Sequence, residues 1–117
     1  MDIREEKRLH LIHCNIAGFT FWDGCIAFEN LKLGTKLQLV RDSNNRYDSK
    51  AVALYWNEYK LGYIPRTHND NISMFLDMGH DDKFETRISR ISSNAEQEKQ
   101  VYINIYIIKK EKHEITD

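Results

Sequence analysis

Apolar and polar residues alternate along most of the chain, in short runs that are typical of half-buried strands. In the first run Ile12, Cys14 and Ile16 share one face at a period of two. In the last run every second residue from Val101 to Ile107 is a branched aliphatic, with polar or aromatic residues between them. The pattern predicts six strands, over residues 9–18, 36–41, 51–56, 59–64, 84–91 and 100–108.

One segment repeats its apolar residues at helical spacing instead. The repeat predicts a helix over residues 69–78, with Asn69 or Asp70 as its cap and Gly79 as its end. Three side chains at i, i+3 and i+4 are expected to pack it on the sheet: Ile72, Phe75 and Leu76. A second, shorter helical or irregular connection is expected between residues 25 and 33.

Short strands with one clear helix favour a small, partly closed barrel over a flat sheet. We therefore expect a mainly β fold, a small OB-like β-barrel of about six strands with one or two short helices. The 117 residues fit a single domain at 9–108, with a charged lead-in at 1–8 and a charged tail at 109–117. This length excludes a helicase or polymerase engine, a TIM barrel and a full dinucleotide-binding fold.

Charge, hydropathy and cysteine content indicate the cellular compartment of the protein. The chain carries 17 Lys and Arg against 18 Asp and Glu, a net charge of −1, although residues 41–68 hold five cations and three carboxylates. No apolar run is long enough for a membrane span, and the charged start is unlike a signal peptide, which predicts a cytoplasmic protein without a membrane partner. Cys14 and Cys25 lack a Cys-x-x-Cys pairing and are interpreted as reduced thiols.

Two segments leave their roles open. The aromatic run at residues 19–24, Phe-Thr-Phe-Trp-Asp-Gly, either plugs one end of the barrel or holds some rings out toward a ligand. The run at 42–49 is rich in residues that hydrogen-bond their own backbone, and so predicts a structured loop. Within it, the Asp48 carboxylate either accepts a proton from a ligand hydroxyl or caps the following turn.

The middle of the chain carries a specific combination of motifs. Asn-x-Tyr-Asp-x-x-Ala at 45–51 is followed by Leu-Gly-Tyr-Ile-Pro-Arg at 61–66. The segment from about residue 16 through 79 resembles the HIRAN domain, and the chain resembles a stand-alone prokaryotic or phage-type member. That family also occurs at the N-terminus of eukaryotic SWI/SNF-type remodellers that handle stalled replication forks.

The resemblance implies capture of the 3′ end of single-stranded DNA, as in the eukaryotic relatives. It implies that Asp48 accepts a hydrogen bond from the terminal hydroxyl, that Tyr47 contacts the end nucleotide and that Arg66 contacts a phosphate. Phe21 and Trp22 match the paired aromatics of the relatives, and rings are suited to stack unpaired bases. The candidate nucleic-acid-binding residues are Phe21, Trp22, Asn45, Tyr47, Asp48, Tyr63 and Arg66.

For some of these residues, a structural role is an alternative to DNA binding. At least one of Phe21 and Trp22 is expected to pack in the core, and Tyr63 alternates within a strand, which favours a structural role. The family often has proline where Ser43 and Arg46 stand, and a relative has a basic residue where Thr20 stands. The loop is therefore expected to be less rigid than in its relatives, with one phosphate contact fewer.

Catalytic motifs are missing from the sequence. The histidines are scattered, His10 and His13 are predicted on opposite strand faces, and Asp81 and Asp82 are interpreted as solvated loop charges. Neither a His-Glu-x-x-His motif, a phosphate-binding Gly-rich loop nor a Gly-x-Ser-x-Gly elbow occurs. We expect no enzyme, no catalytic residue, no cofactor and no metal site.

These observations lead to two hypotheses of function. The first is a non-catalytic DNA-binding module that recognises single-stranded DNA at its 3′-hydroxyl end, in DNA repair or replication-fork processing. The alternative is a protein-interaction domain that docks a DNA-processing enzyme. A helicase or nuclease acting in trans would be a fitting partner in either case.

Overall fold

A single antiparallel sheet forms the body of the protein in a computed structural model, which describes residues 7–92 and 100–109. Within those residues the strand order is β1-β6-β5-β2-β3-β4. The strands are β1 (Lys7–Asn15), β2 (Lys36–Arg41), β3 (Val52–Trp56), β4 (Tyr59–Tyr63), β5 (Phe84–Ile91) and β6 (Val101–Lys109). The helices are α1 (Gly24–Ala27) and α2 (Asp70–Asp77), with 3-10 turns at Phe19–Phe21, Phe28–Asn30, Arg66–His68 and Asp81–Lys83.

The predicted fold class is confirmed, and all six predicted strands form. Two of them have the predicted bounds, and the others differ by up to three residues at an end. β1 begins at Lys7, inside the segment predicted to be a charged lead-in, and β6 extends to Lys109. The rest of the lead-in, the tail beyond 109 and most of the polar turn predicted at 92–97 lie outside the described residues.

The sheet curls until its two edges meet. Directly after β1, Ala17 exchanges two backbone hydrogen bonds with Tyr63 of β4, with N–O distances of 2.8 and 2.9 Å. The approach is close, because a Cβ atom at Gly62 would lie 2.4 Å from the Ala17 carbonyl oxygen. Gly62 also has a φ of +144°, a conformation that other residues rarely adopt. This contact joins the edges of a partly closed barrel.

The core lies on the concave side of the sheet and follows the predicted alternation. The side chain of Phe19 is 1% exposed and plugs the barrel beside α1. Burial raises the pKa of the Cys14 thiol to about 11, and Cys14 and Cys25 are both free thiols. Fully buried side chains from β1 or its continuation, β3, β4 and β6 include Ile16, Val52, Leu54, Leu61, Val101, Ile103 and Ile105.

Helix α2 packs on the sheet through a narrower stripe than predicted. Ile72 is fully buried and Leu76 packs against the core, but Phe75 is 39% exposed, so its predicted burial is wrong. The buried stripe of α2 also includes Asn69 and Ser73, which are 2% and 3% exposed, so it is shifted away from Phe75. Phe75 therefore lies at the margin of the stripe, where its ring meets Phe84 edge-on.

A bulge in β1 changes which residues share a face. The register with β6 shifts between His10 and Ile12, so the alternation of side chains reverses there. His10 Nε2 and His13 Nδ1 each lie 2.9 Å from Asn104 Oδ1. The prediction that these two histidines point to opposite faces is therefore wrong. Among the described residues, no helix has the length and apolar character needed to cross a membrane.

Candidate nucleic-acid interface

A cleft of about 300 Å³ lies where the segment after β1 meets the end of β4 and the loop between β2 and β3. We call it the loop cleft. Residues from three separate parts of the chain meet here, because the Ala17–Tyr63 bridge brings the two edges of the sheet together. All seven predicted site residues line it: Phe21, Trp22, Asn45, Tyr47, Asp48, Tyr63 and Arg66.

Two aromatic rings of the loop cleft are open to solvent. The side chains of Phe21 and Tyr47 are 85% and 82% exposed, and Trp22 is 44% exposed. The expectation that Phe21 or Trp22 packs in the core is therefore wrong, since Phe19 takes that place. The core has room for the Phe19 ring because Gly24 lacks a side chain; a Cβ there would lie 2.8 Å from ring atoms. The aromatic run thus supplies one plug and two rings at the cleft.

The loop that carries Tyr47 is shaped by its own side chains. Asn45 Oδ1 accepts hydrogen bonds from the backbone N–H groups of Tyr47 and Asp48, at 2.8 and 3.0 Å. Asp48 Oδ1 accepts one from the N–H of Lys50 at 3.0 Å. Side-chain oxygens bonded to following N–H groups are the usual device of Asx turns. Asn45 therefore organises the loop, and its Oδ1 atom is already engaged.

Arg41 holds the far side of the same loop. Its guanidinium donates to the carbonyl oxygens of Ser49 and Ala51 at 2.6 and 3.0 Å, and to the Asp77 carboxylate at 2.9 Å. Sequence reasoning missed this role, because nothing in the pattern distinguishes Arg41 from an ordinary end of a strand. The loop is thus braced although Ser43 and Arg46 stand where relatives often have proline.

Asp48 has the turn-capping role that was one of its two predicted roles, and its second carboxylate oxygen faces Asn69 and Arg66. Its Oδ1 atom caps the turn, whereas its Oδ2 atom accepts a hydrogen bond from Asn69 Nδ2 at 2.8 Å. The Arg66 Nε atom lies 3.7 Å from the same Oδ2, and the Asp48 side chain is 21% exposed. A carboxylate oxygen can accept more than one hydrogen bond, so Oδ2 retains capacity for a ligand hydroxyl. Asn69 stands at the N-cap position of α2, as predicted, but its side chain makes no capping hydrogen bond and orients this carboxylate.

Arg66 supplies positive charge at the rim of the loop cleft. It follows Pro65 directly after β4, and its side chain is 69% exposed. One guanidinium N–H group donates to the carbonyl oxygen of Tyr47, which ties the rim to the loop. A guanidinium has five N–H donors, so most of them remain for a phosphate.

A polar network lies beneath the aromatic rings. Tyr63 Oη donates to Asp42 Oδ2 at 2.5 Å and accepts a hydrogen bond from Lys60 Nζ at 2.6 Å. The Tyr63 hydrogen bond is the main cause of a lowered pKa of Asp42. Lys60 Nζ also lies 3.7 Å from the centre of the Trp22 ring, an attractive cation–π geometry. Tyr63 therefore has the structural role that its strand position favoured.

Lys60 places a cation beside the loop cleft, against the Trp22 ring, although it is not one of the lining residues. Thr20 was expected to leave one phosphate contact fewer, and the Lys60 ammonium reaches the nearby Trp22 ring from β4. The sequence gives no sign of this contact, because the two residues are far apart along the chain. No group of three or more His, Cys, Asp or Glu residues in the described ranges is placed to hold a metal ion.

Both the sequence and the fold are similar to those of known proteins. The family model of the HIRAN domain matches residues 9–109. A solved structure of a protein from Lactobacillus plantarum is 22% identical, with a TM-score of 0.73, over 89% of this chain and 98% of that one. The HIRAN domain of human HLTF is 16% identical, with a TM-score of 0.64, over 89% and 81%. No curated protein sequence matches significantly.

Proposed function

The chain belongs to the HIRAN domain family, and from this membership we propose that it is a non-catalytic module that binds single-stranded DNA at its 3′-hydroxyl end. The observation that carries the proposal is the meeting of two exposed rings, a rim guanidinium and an oriented carboxylate in one cleft. The module would be a single domain at residues 9–108, acting in the cytoplasm in DNA repair or replication-fork processing.

Each part of the loop cleft suits one part of a terminal nucleotide. The exposed faces of Tyr47 and Phe21 provide stacking surfaces, and one stacked base contributes about 1 to 3 kcal/mol. Arg66 would bind a phosphate with two parallel N–H groups. Asp48 Oδ2 would accept the proton of the terminal 3′ hydroxyl, at the side of the carboxylate that Asn69 already orients.

The test of this function is the affinity for one labelled oligonucleotide with its 3′ end free or phosphorylated. A 3′ phosphate removes the hydroxyl donor and places a second negative charge beside Asp48. A hydrogen bond to a charged group contributes about 1.5 to 3 kcal/mol, so the blocked end should bind at least about tenfold more weakly. Equal affinity for both ends would contradict end recognition. A 5′ phosphate serves as the control, because it adds the same charge at the other end.

Arg66 is expected to contribute affinity without sequence preference. Arg66→Ala should weaken binding to every single-stranded sequence alike and reduce the slope of log affinity against log salt by about one. Affinities measured between low and moderate salt give the slope. Lys83→Ala, which removes an exposed charge in the turn before β5, is the matched control. An unchanged slope in Arg66→Ala would mean that the guanidinium serves only its contacts to Tyr47 and Asp48.

One observation supports a second candidate function, docking of a DNA-processing enzyme such as a helicase or nuclease in trans. Met74 and Met78, at the solvent side and end of α2, are 54% and 70% exposed, and flexible methionines are common at adaptable protein interfaces. A salt titration separates the two functions. Phosphate binding weakens steeply with ionic strength, whereas an apolar protein interface does not.

A further inference from the structure

The solvent side of β1, β5 and β6, which we call the outer face, carries cationic and aromatic side chains that the loop cleft does not use. These three strands contain five Lys or Arg residues and one carboxylate, Glu85, in a chain whose net charge is −1. The pairing of β6 with its neighbours places His10 opposite Tyr106 and Arg90 opposite Tyr102. Lys7 and Lys109 lie opposite each other, one position out of phase with Arg8, and so belong to the other side of the sheet. The outer face itself carries three arginines, Arg8, Arg87 and Arg90, against the single carboxylate of Glu85.

The arginines of the outer face are held against tyrosine rings. The guanidinium carbon of Arg8 lies 4.1 Å from the centre of the Tyr106 ring, and that of Arg90 lies 5.5 Å from Tyr102. The His13 imidazole also stacks on Tyr102, at 5.4 Å with 16° between the ring planes. A guanidinium held against a ring keeps N–H groups in its own plane available for an anion, and loses little further entropy on binding one. Arg8 uses one of these groups on Glu85.

Glu85 does not neutralise this face. Its Oε2 atom accepts hydrogen bonds from Arg8 at 2.9 Å and from Arg87 at 2.6 Å, so one carboxylate serves two guanidiniums. Arg90 contributes a further charge at the other end of β5. The outer face thus retains an excess of positive charge after its internal ion pairs are formed.

The spacing of the cations indicates a long anion. Tyr102 and Tyr106 are four residues apart on β6, which is about 13 Å along a strand. The two stacked arginines lie over these rings, and this separation is too large for one phosphate group. A chain of phosphates would reach both positions. The exposed imidazoles of His10 and His13 beside the cations also offer bases a stacking surface, which an acidic peptide would not use.

We propose that the outer face is a second binding surface, for the phosphate backbone of single-stranded nucleic acid, and that it needs no free end. It would bind internal stretches of a strand and is separate in its residues from the loop cleft. The experiment uses a closed circular single-stranded DNA as the probe, since a circle has no 3′ end to occupy the loop cleft.

The intact protein is expected to bind the circle with an affinity that falls steeply with salt. Arg8→Ala combined with Arg90→Ala should weaken this binding at least about tenfold and lower the salt slope by about two. Arg8→Lys with Arg90→Lys keeps both charges and should retain the slope, which separates loss of charge from loss of fold. Lys50→Ala with Lys83→Ala removes two exposed charges elsewhere and should leave binding nearly unchanged.

Three results would overturn the proposal: failure of the intact protein to bind the circle, an equal loss in the Lys50 and Lys83 control, or equally tight binding of a poly-glutamate chain. The last result would identify a surface for acidic proteins. Asp48→Asn should not alter binding of the circle. The ratio of the affinities for a short strand with a free and with a phosphorylated 3′ end reports on the loop cleft, because the outer face needs no free end. Failure of the proposed end recognition is therefore distinguishable from failure of the outer face.

Discussion

Asp48→Asn is expected to remove most of the preference for a free 3′ hydroxyl over a 3′ phosphate. The unmodified protein should discriminate between the two ends at least about tenfold, because the carboxylate accepts the hydroxyl proton and repels the phosphate. An amide of the same shape carries no charge and accepts hydrogen bonds less strongly. The ratio of the two affinities in the variant should therefore fall close to one.

The structure makes Asp48→Asn an informative substitution. The new Oδ1 atom can still accept the Lys50 N–H, and rotation of the Asn69 amide lets its own oxygen face the new amide. The turn should thus persist, and the unfolding temperature should change little. An unaltered ratio in a folded variant would show that Asp48 serves only the loop.

Tyr47→Ala is the control for this result. The Tyr47 ring is 82% exposed, so its removal costs little stability. Loss of one stacked base should weaken the binding of free and blocked ends by the same factor, at about 1 to 3 kcal/mol. A change of ratio in Tyr47→Ala, with none in Asp48→Asn, would transfer end recognition from the carboxylate to the ring.

Gly62→Ala is expected to destabilise the protein by about 2 to 4 kcal/mol, from the combined costs of overpacking and backbone strain. The added Cβ would lie 2.4 Å from the Ala17 carbonyl oxygen and 2.7 Å from a methyl group of Ile16. The segment after β1 would have to move, and its bridge to Tyr63 would weaken. Chemical denaturation measures the free energy of unfolding directly.

Gly79→Ala is the matched control for Gly62→Ala. Gly79 also has a positive φ, +82°, but a Cβ there meets no atom within 4 Å. Its substitution should cost only backbone strain, about 1 kcal/mol. Equal losses of stability in both variants would mean that the close contact between the sheet edges is not what Gly62 permits.

Alternation along the sequence was sufficient to predict the sheet, because a strand with one buried face imposes a period of two on its residues. It was insufficient at the bulge between His10 and Ile12, where one extra residue reverses the faces. Aliphatic residues on both sides of that point hide the change of phase. Periodicity also predicts burial of Phe75, which is wrong. The stripe of α2 that is buried includes Asn69 and Ser73, and polar residues such as these give no apolar signal in the sequence.

The candidate site could likewise be predicted only in part from the sequence. Its seven residues were identified from local motifs at 45–51 and 61–66 and from the aromatic run, and the fold brings all of them to one cleft. The residues that orient them were missed. Arg41, Lys60 and Asn69 each make a contact with a residue more than 20 positions away, Asp77, Trp22 and Asp48 respectively, and such contacts leave no local pattern.

The pairing of β1 with β6 has a consequence for folding kinetics. These strands come from opposite ends of the described chain, and Lys7 lies opposite Lys109 in the register. Nearly the whole chain must therefore form a closed loop before this ladder can assemble, and such non-local pairings slow folding. A circular permutant that joins residue 109 to residue 7 through a short linker would make the ladder a local hairpin. It should fold faster than the natural chain order while keeping the same sheet.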